Sequence, residues 1–279
     1  MKKLFDEVSI KASKTVTKVY STSFYAGVSK LDKKIRNDVH AIYGFVRFAD
    51  EIVDSFHDFD KDTLLSEFKN DTYLALERKI SLNPILNAFQ NTVHKYNIDM
   101  QLVDQFLISM EMDLNKVVYS KENYDKYILG SAEVVGLMCL KVFVFGNENQ
   151  YNELKPYAMK LGSAFQKINF LRDLRDDVND LGRIYFPNIS AINELSLAQK
   201  LEIEKEIELE FKEAYIGIRK LPKSSRFGVY LSYVYYNRLL REIKRSTINE
   251  LLSQRIRVPD NTKRLIFLKS YLRNSINLL

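Results

Sequence analysis

Two pairs of aspartates, each with a spacing of four residues, are the groups in this sequence best suited to chemistry. Asp50 and Asp54 form the first pair, and Asp173 and Asp177 form the second. In a helix, residues four apart lie on the same face, so each pair would present two carboxylates together. Two such helices facing each other could bind several Mg²⁺ ions, which prefer carboxylates combined with phosphate groups. The spacing therefore predicts a divalent-metal site for a phosphorylated ligand.

Polar residues extend both pairs along their helix faces. Arg47 lies three residues before Asp50, and Gln166 and Asn169 precede Asp173 on one face. That second face carries short acids and amides, whereas exposed faces favour long Lys and Glu side chains. For each pair taken alone, a solvated helix edge is the alternative interpretation, with an Arg–Asp ion pair at the first.

The scarcity of histidine and cysteine excludes several other metal centres. The only histidines are His40, His57 and His94, and the only cysteine is Cys139. Zinc clusters of Cys and His, and the Glu-x-x-His pairs of helical di-iron proteins, are therefore not available. A single cysteine cannot form an internal disulfide, which favours a reducing compartment. A bound metal should be a hard cation held by carboxylates.

The composition predicts a helical protein. The 279 residues are 46% apolar and 28% charged, as in ordinary globular proteins. Nine glycines and five prolines are too few for the many turns of a sheet protein of this size. Helical periodicity without a Gly/Ser-rich or Pro-rich linker predicts one all-α domain over residues 1–279, with an irregular stretch at 182–195. The predicted helices are 3–18, 31–57, 61–79, 83–95, 98–118, 122–146, 150–181, 196–220, 225–252 and 260–276.

The charge balance limits the partners. The net charge of +6 and the pI of about 9.1 suit an anionic ligand or an anionic membrane surface. Nucleic acid is not an expected partner, because the sequence has no Lys/Arg block, zinc knuckle or RNP-like motif. The longest apolar stretch, 134–145, contains Lys141 and is too short to span a bilayer. The last helix, 263–279, alternates leucines with basic residues, which is typical of an interfacial helix or of a terminal helix that caps the core. With no secretory signal, we expect a cytoplasmic protein, with peripheral contact at the inner membrane face as an alternative.

Several segments match, in order, the motifs of one known family, and the chain resembles the squalene and phytoene synthases from about Tyr20 to Lys263. These enzymes are head-to-head prenyl transferases. A lone Asp-x-x-x-Asp is common, whereas two of them in order with matching flanks are specific. The matching segments are Ser21-Thr22-Ser23-Phe24, residues 41–54, residues 127–138, and residues 161–177 with their continuation at 182–187.

The resemblance implies an isoprenoid-synthase-type fold, a single-domain helical bundle around a central apolar cavity. It implies Mg²⁺ as the cofactor, with Mn²⁺ as a substitute. The implied metal ligands are Asp50, Asp54, Asn169, Asp173 and Asp177. The implied catalytic residues are Asp50, Asp54, Asp173, Asp177, Arg47 and Tyr127. The implied substrate-binding residues are Ser21, Ser23, Phe24, Arg47, Gln166, Asn169, Arg183, Tyr185 and Tyr236. The matches at Tyr236, Arg255 and Lys263 are the weaker ones, and Asp176 would assist the four aspartates.

The implied reaction is a Mg²⁺-dependent head-to-head condensation of two prenyl diphosphates through a cyclopropyl diphosphate intermediate. Phytoene made from two geranylgeranyl diphosphates is the first expectation. Squalene or dehydrosqualene made from farnesyl diphosphate is the alternative, and NADPH would be needed only for squalene. Two non-enzyme hypotheses are a catalytically inactive assembly factor of the same fold, which would be expected to lose the aspartates, and a plain helical scaffold. The sequence does not indicate an oligomeric state.

One position departs from the family pattern. Glu133 stands where the family usually has glycine, on a helix that borders the prenyl cavity in relatives. A glutamate there is expected either to alter the cavity and its selection of chain length, or to be a surface acid.

Overall fold

The computed structural model describes residues 1–114, 119–179, 182–187 and 195–275, and within these ranges the regular structure is helical with no strand. A π-helical turn, Leu129–Glu133, lies between α7 and α8. The helices are α1 Lys2–Tyr20, α2 Thr22–Val28, α3 Lys33–Ser55, α4 Lys61–Arg78, α5 Pro84–Tyr96, α6 Met100–Leu114, α7 Lys121–Ile128, α8 Val134–Phe143, α9 Glu148–Arg172, α10 Leu174–Asn179, α11 Leu197–Lys220, α12 Lys223–Arg245, α13 Ile248–Ser253 and α14 Asp260–Ser275.

Short polar side chains set the starts of these helices. Each accepts a hydrogen bond from a backbone N–H of the first turn, which otherwise has no partner within the helix. Ser196 and Thr247 form complete capping boxes with Gln199 and Glu250. The other capping residues are Ser21, Asp32, Asp60, Asn83, Ser120 and Asn147.

The predicted helix 122–146 is wrong as one continuous element. The π-helical turn interrupts it where Gly130 meets α6, and a Cβ at Gly130 would lie 2.5 Å from the carbonyl oxygen of Gln105. Such a single wide turn is the usual form of a π-bulge inside an α-helix. The helix then ends at Phe143, because Phe145 and Gly146 both have positive φ.

Two further predicted helices are each divided into two. The stretch 150–181 breaks at Asp173, whose φ of −98° and ψ of 9° end α9 before α10 begins. The stretch 225–252 breaks after Arg245, because the Thr247 capping box starts α13. The short helix α2 was not predicted. The predicted helix ends at 115–118, 181 and 276 lie outside the described residues, as do residues 188–194 of the predicted irregular stretch 182–195.

Six helices, α2, α3, α8, α9, α11 and α12, enclose an apolar cavity of about 280 Å³. The cavity runs along α9 from Leu154 to Asn169. At a rise of about 1.5 Å per residue, this stretch of helix is about 22 Å long. Val39, Leu140 and Ile218 are typical of its walls. The all-α bundle around a central apolar cavity, predicted from the sequence, is confirmed.

The remaining apolar residues form a packed core around this cavity. Phe45 of α3 stacks on Phe89 of α5, with ring centroids 3.9 Å apart, and also contacts Phe106 of α6. A second group of rings, around Tyr127, packs below the aspartate pairs. Within the described ranges, no helix is both long enough and apolar enough to cross a membrane.

Candidate active site

The first aspartate pair lies near the end of α3. Ile35, Val39 and Ile42 belong to the buried stripe of this helix, and this stripe fixes its rotation. Asp50 and Asp54 are therefore held at the edge of the stripe, partly buried. As predicted, both carboxylates lie on one face of one helix.

The second pair lies where α9 gives way to α10. Asp173 is the C-terminal cap of α9, and Asp177 lies within α10. The prediction that one continuous helix carries both is wrong, although the Asp177 N–H donates to the Asp173 carbonyl (2.9 Å) and keeps them one turn apart. The Asp173 carboxylate accepts a hydrogen bond from Arg172 Nε (2.8 Å) and forms an ion pair with Arg255, whose Nε lies 2.7 Å from Oδ1.

The segment 182–187 joins the two pairs. Gly182 has a φ of +63°, which suits glycine, and the following Arg183 N–H donates to the Asp177 carbonyl (2.8 Å). The Arg183 guanidinium then reaches α3, where Nη1 donates to Asp54 Oδ1 (2.6 Å) and Nη2 donates to the Val53 carbonyl (3.1 Å). One residue thus connects both aspartate pairs, through its backbone to Asp177 and through its side chain to Asp54.

Asp113 of α6 is a site residue that sequence reasoning missed. Its carboxylate accepts hydrogen bonds from the hydroxyls of Tyr127 (2.7 Å) and Tyr185 (3.1 Å), and its carbonyl accepts one from Arg183 Nη2 (2.8 Å). The signal in the sequence was an acid on the buried face of α6, one turn after Met110. Buried acids of this kind need partners, and these partners come from distant parts of the chain.

The electrostatics of the site show an excess of negative charge. Burial and the neighbouring carboxylates of Asp54 and Asp113 raise the pKa of Asp50 to about 8. Burial and the carboxylates of Asp173 and Asp54 raise the pKa of Asp177 to about 8 as well. The Asp54 carboxylate thus opposes the ionisation of both Asp50 and Asp177. Because Arg183 binds both Asp54 and the Asp177 carbonyl, the two pairs meet at one end of the bundle.

These donors fit a hard divalent cation. The site offers carboxylate and amide oxygens only, and its unbalanced negative charge is what a cation would neutralise. Among the described residues, no three acids, histidines or cysteines are gathered closely enough to form a ready-made cage. Such an open arrangement suits Mg²⁺, which is usually held by one or two carboxylates and completed by phosphate oxygens and water.

Gln166, Asn169 and Tyr236 lie between the aspartates and the cavity. All three line the cavity, and they form a chain of hydrogen bonds. Tyr236 Oη donates to Asn169 Oδ1 (3.2 Å), and Asn169 Nδ2 donates to Gln166 Oε1 (3.3 Å). The Tyr236 ring stacks on Phe165 with centroids 3.9 Å apart. The structure therefore brings these three predicted residues together at the polar end of the cavity.

The predicted residues of the first motif lie on the opposite wall. Ser21 caps α2 and accepts a hydrogen bond from the Phe24 N–H (3.3 Å), and Ser23 is on the same turn. Phe24 lines the cavity and stacks on Tyr43 of α3, with ring centroids 4.8 Å apart. This aromatic pair is positioned by the short helix α2, which the sequence pattern had not predicted.

Arg47 lies beside Asp50 and forms an ion pair with Glu51. Its guanidinium also lies over the Tyr20 ring, 4.5 Å from the centroid. Its Nε is buried and has no hydrogen-bond partner in the described part of the chain. An unpaired cationic donor next to the carboxylates is suited to an anionic ligand oxygen.

Tyr127 and Tyr185 are buried below the aspartates, where their rings lie 5.0 Å apart. Both hydroxyls are occupied by Asp113, and burial raises the pKa of each well above its ordinary value. In this structure they support the floor of the site.

Glu133 points away from the cavity. Its neighbours Ala132 and Val135 line the cavity, but Glu133 is not among the described lining residues. Burial and the nearby Glu210 raise its pKa to about 7, and Lys160 and Lys167 oppose that rise. It therefore faces the polar contact between α9 and α11 and does not narrow the cavity.

Comparison with known proteins agrees with this geometry. The chain is 29% identical over 258 residues to phytoene synthase 1 of Zea mays, covering 82% of this chain and 60% of that protein. It is 28% identical over 260 residues to phytoene synthase 2 of Solanum lycopersicum, covering 82% of this chain and 79% of that protein. The chain thus spans about three fifths of the length of the maize relative.

Solved structures show the same fold. A dehydrosqualene synthase in complex with a ligand superposes with a TM-score of 0.80 at 20% identity, covering 96% of this chain and 98% of the other. A squalene synthase from Alicyclobacillus acidocaldarius superposes with a TM-score of 0.73 at 18% identity, covering 86% of this chain and 94% of the other. The expected isoprenoid-synthase-type architecture is confirmed.

The family model for squalene/phytoene synthases matches residues 17–202. That range contains both aspartate pairs, the Arg183 segment and every predicted site residue except Tyr236, Arg255 and Lys263. The resemblance inferred from the motifs is therefore confirmed, and the chain belongs to the squalene/phytoene synthase family of prenyltransferases.

Proposed function

We propose that this protein catalyses a Mg²⁺-dependent head-to-head condensation of two prenyl diphosphates. One observation carries the proposal: two aspartate pairs, joined through Arg183, lie just beyond the polar end of a long apolar cavity, with Asp173 one turn after the lining residue Asn169. The charged end suits a diphosphate with its metal ions, and the apolar end suits a hydrocarbon chain. This polarity matches a substrate with the same two parts.

In this proposal Asp50, Asp54, Asp173, Asp177 and Asn169 hold the metal ions. Bound Mg²⁺ would neutralise the diphosphate and stabilise it as a leaving group. Mn²⁺ would serve in its place, since the ligands are all oxygen atoms.

The protein's own side chains bind and orient the diphosphate. Arg47 offers its unpaired Nε, and Arg183 and Arg255 already lie against the aspartates. Ser21, Ser23 and Gln166 add polar contacts at the mouth of the cavity.

The aromatic rings at that mouth would stabilise the reaction's cations. Phe24 stacks on Tyr43 on one wall, and Phe165 stacks on Tyr236 on the other. Ring faces attract a cation, and an apolar cavity excludes the water that would quench it. An allylic cation formed here by loss of diphosphate would react with the double bond of the second substrate, and loss of a proton would give the cyclopropyl diphosphate intermediate. Loss of the second diphosphate, rearrangement and a final proton loss would give phytoene or dehydrosqualene, whereas squalene would need hydride from NADPH in place of that proton loss.

Geranylgeranyl diphosphate is the proposed substrate and phytoene the proposed product. The matched curated relatives in maize and tomato are named phytoene synthases, which supports this choice. The similar solved structures include a dehydrosqualene synthase, so a C30 hydrocarbon from farnesyl diphosphate is the second candidate. NADPH would be required only if the product were squalene.

A product assay tests the reaction. Purified protein would be incubated with Mg²⁺ and either prenyl diphosphate, with and without NADPH, and the extracted hydrocarbon identified by mass. A C40 product without NADPH is expected. A C30 product would support the reaction class and overturn the C20 substrate, and the absence of hydrocarbon from both substrates would refute the reaction.

Matched variants connect that product to the aspartates. We expect Asp50→Asn and Asp177→Asn each to lower the rate at least about 100-fold, because each removes charge that holds the metal ions. Asp58→Asn is the control, since it makes the same change at an exposed position just beyond α3. Folding of each variant would be checked by thermal melting. Equal effects of Asp50→Asn and Asp58→Asn would contradict the assigned role.

A ligand-binding measurement separates an enzyme from a scaffold of the same fold. We expect inorganic diphosphate to raise the melting temperature only when Mg²⁺ is present, and Asp177→Asn to abolish the rise. A rise without Mg²⁺ would refute the metal-mediated site.

The proposed compartment is the cytoplasm, with peripheral contact at a membrane face. The matched plant relatives are named chloroplastic proteins, so the compartment is best tested by fractionation of the source cells. The hydrocarbon product is the reason to expect membrane contact, because it is insoluble in water.

A further inference from the structure

Helix α14 presents an exposed row of leucines. Leu265, Leu268 and Leu272 are 50%, 54% and 55% exposed, and their spacing of three and four places them on one face. The other side of α14 packs on α12, where Phe227 contacts the rings of Phe267 and Tyr271. Nothing in the described part of the chain covers the leucines.

Basic residues surround this row. Lys269 and Arg273 are exposed on α14 itself. Lys30, at the end of α2, lies 4.6 Å from the centroid of the Phe267 ring. Further exposed lysines lie close by, because the turn before α3 and the start of α12 are joined by a hydrogen bond from the Asp32 N–H to the Ser224 carbonyl (2.8 Å). We call this set the basic end: Lys30, Lys33, Lys34, Lys223, Lys269 and Arg273.

The basic end lies at the apolar end of the cavity, far from the aspartates. Leu31 and Gly228 line the cavity there, opposite to the end at Asn169. They directly follow Lys30 and Phe227, which contact α14. Helix α14 therefore covers the outside of the end that would hold the hydrocarbon tails.

Exposed leucines alone would not distinguish this face, because α11 has them too. Leu197, Leu201 and Leu209 are 62%, 53% and 50% exposed. However, α11 carries acids and lysines together: Glu202, Glu206, Glu208 and Glu213 alternate with the exposed Lys205 and Lys212. An anionic surface would therefore be attracted more strongly by α14 than by α11.

We propose that α14 and the basic end form a docking surface for an anionic lipid bilayer. Leucines would enter the boundary between headgroups and acyl chains, and the basic side chains would lie at the anionic headgroups. The surface would bring the apolar end of the cavity to the membrane, where a long hydrocarbon could leave without crossing water. This last step rests on the proposed function, whereas docking itself does not.

Vesicle sedimentation without substrate tests docking. The full chain would be mixed with vesicles of phosphatidylcholine alone or with phosphatidylglycerol added. We expect binding to the anionic vesicles and at least about tenfold weaker binding by Leu265→Ser/Leu268→Ser/Leu272→Ser. The control, Leu197→Ser/Leu201→Ser/Leu209→Ser, removes the same side chains from α11 and should bind like the parent protein.

A charge variant tests the electrostatic part. Lys269→Gln/Arg273→Gln should weaken binding to anionic vesicles by about fivefold for each residue and leave binding to phosphatidylcholine unchanged. Salt should weaken the parent protein's binding in the same way, because it screens exposed charges.

The outcomes are separable. Undiminished vesicle binding by the α14 leucine variant, or an equal loss in the α11 control, would overturn the proposal. The proposal would also be overturned if the α14 leucine variant changed from dimer to monomer while its vesicle binding stayed the same, since this result would assign the face to a second copy of the chain. With prenyl diphosphates, vesicles should speed multiple turnovers of the parent protein but not of the α14 variant, while single turnovers stay equal. If neither the parent protein nor the α14 variant makes a hydrocarbon, the proposed function is refuted, and vesicle sedimentation still tests the docking proposal.

Discussion

Replacement of Asp113 by alanine should reveal how strongly the buried polar cluster holds the floor of the active site. Asp113 is only 6% exposed, and it accepts the hydroxyls of two buried tyrosines, Tyr127 and Tyr185. Without this acceptor, each buried hydroxyl loses its partner at a cost of about 1–3 kcal/mol. The sum is about 2–6 kcal/mol. An opposing effect is relief from burying the carboxylate, whose pKa burial raises to about 7.

A double-mutant cycle separates these two effects. The free energy of unfolding would be measured in urea for Asp113→Ala, Tyr127→Phe, the double variant and the parent protein. The cost of burying the carboxylate cancels in the cycle, so the coupling energy reports the hydrogen bond. We expect about 1.5–3 kcal/mol, the range for a hydrogen bond to a charged group.

The same helix offers a matched control. Tyr73 Oη donates to Asp104 of α6 at 2.9 Å, but both side chains are half-buried. Water can replace either partner there, so the coupling energy should be about 0.5 kcal/mol. If the Asp113–Tyr127 coupling does not exceed that of the control, the claim that the buried cluster supports the site is refuted.

Three further measurements follow from individual residues. Burial raises the pKa of Asp50 to about 8 from an ordinary value of 3.8, so ionisation of this group destabilises the folded protein. In EDTA, the melting temperature of the parent protein should therefore fall as the pH rises from 4 to 8, and that of Asp50→Asn should fall less. A melting temperature of the parent protein that does not change with pH would contradict this prediction. Burial lowers the pKa of His40 to about 4 from 6.5, so the unfolded chain takes up its proton first and the contribution of His40 to stability is lost as the pH falls from 6.5 to 4. The free energy of unfolding of His40→Gln, measured in urea, should therefore rise relative to that of the parent protein over this range. In Gly162→Ala the new Cβ would lie 2.7 Å from the carbonyl oxygen of Ala132, which belongs to the π-helical turn. Calorimetry should therefore show a free energy of unfolding lower by about 1–3 kcal/mol. A variant as stable as the parent protein would mean that the π-helical turn moves freely.

The sequence predicted the parts of the site that depend on local helix geometry. The apolar stripe of α3 is continuous over its whole length, so the shared face of Asp50 and Asp54 follows from spacing alone. Gln166 and Asn169 are likewise placed by the rotation of α9. The helix starts were predictable to within a few residues because Asp, Asn, Ser and Thr cap them.

The parts that were not predictable depend on contacts between distant segments. The π-helical turn exists because Gly130 packs against the backbone of α6, which no local pattern records. The break at Asp173 places an Arg255 side chain, far away in the sequence, on its carboxylate. Asp113 is assigned to the site by its contacts with Tyr127, Arg183 and Tyr185, which come from two other segments. Local periodicity carries no information about such pairings.

The ends of the helices explain why the site should require a cation before it accepts a diphosphate. Helix α3 ends at Ser55, next to Asp54, and α9 ends at Arg172, next to Asp173. The carbonyls in the last turn of a helix carry partial negative charge, which adds to that of the carboxylates. Arg183 offsets only part of it, as the raised pKa of Asp177 shows. A diphosphate without metal would therefore meet a negative potential, whereas a diphosphate with Mg²⁺ would neutralise it, and substrate affinity should depend on the metal more strongly than on any single arginine.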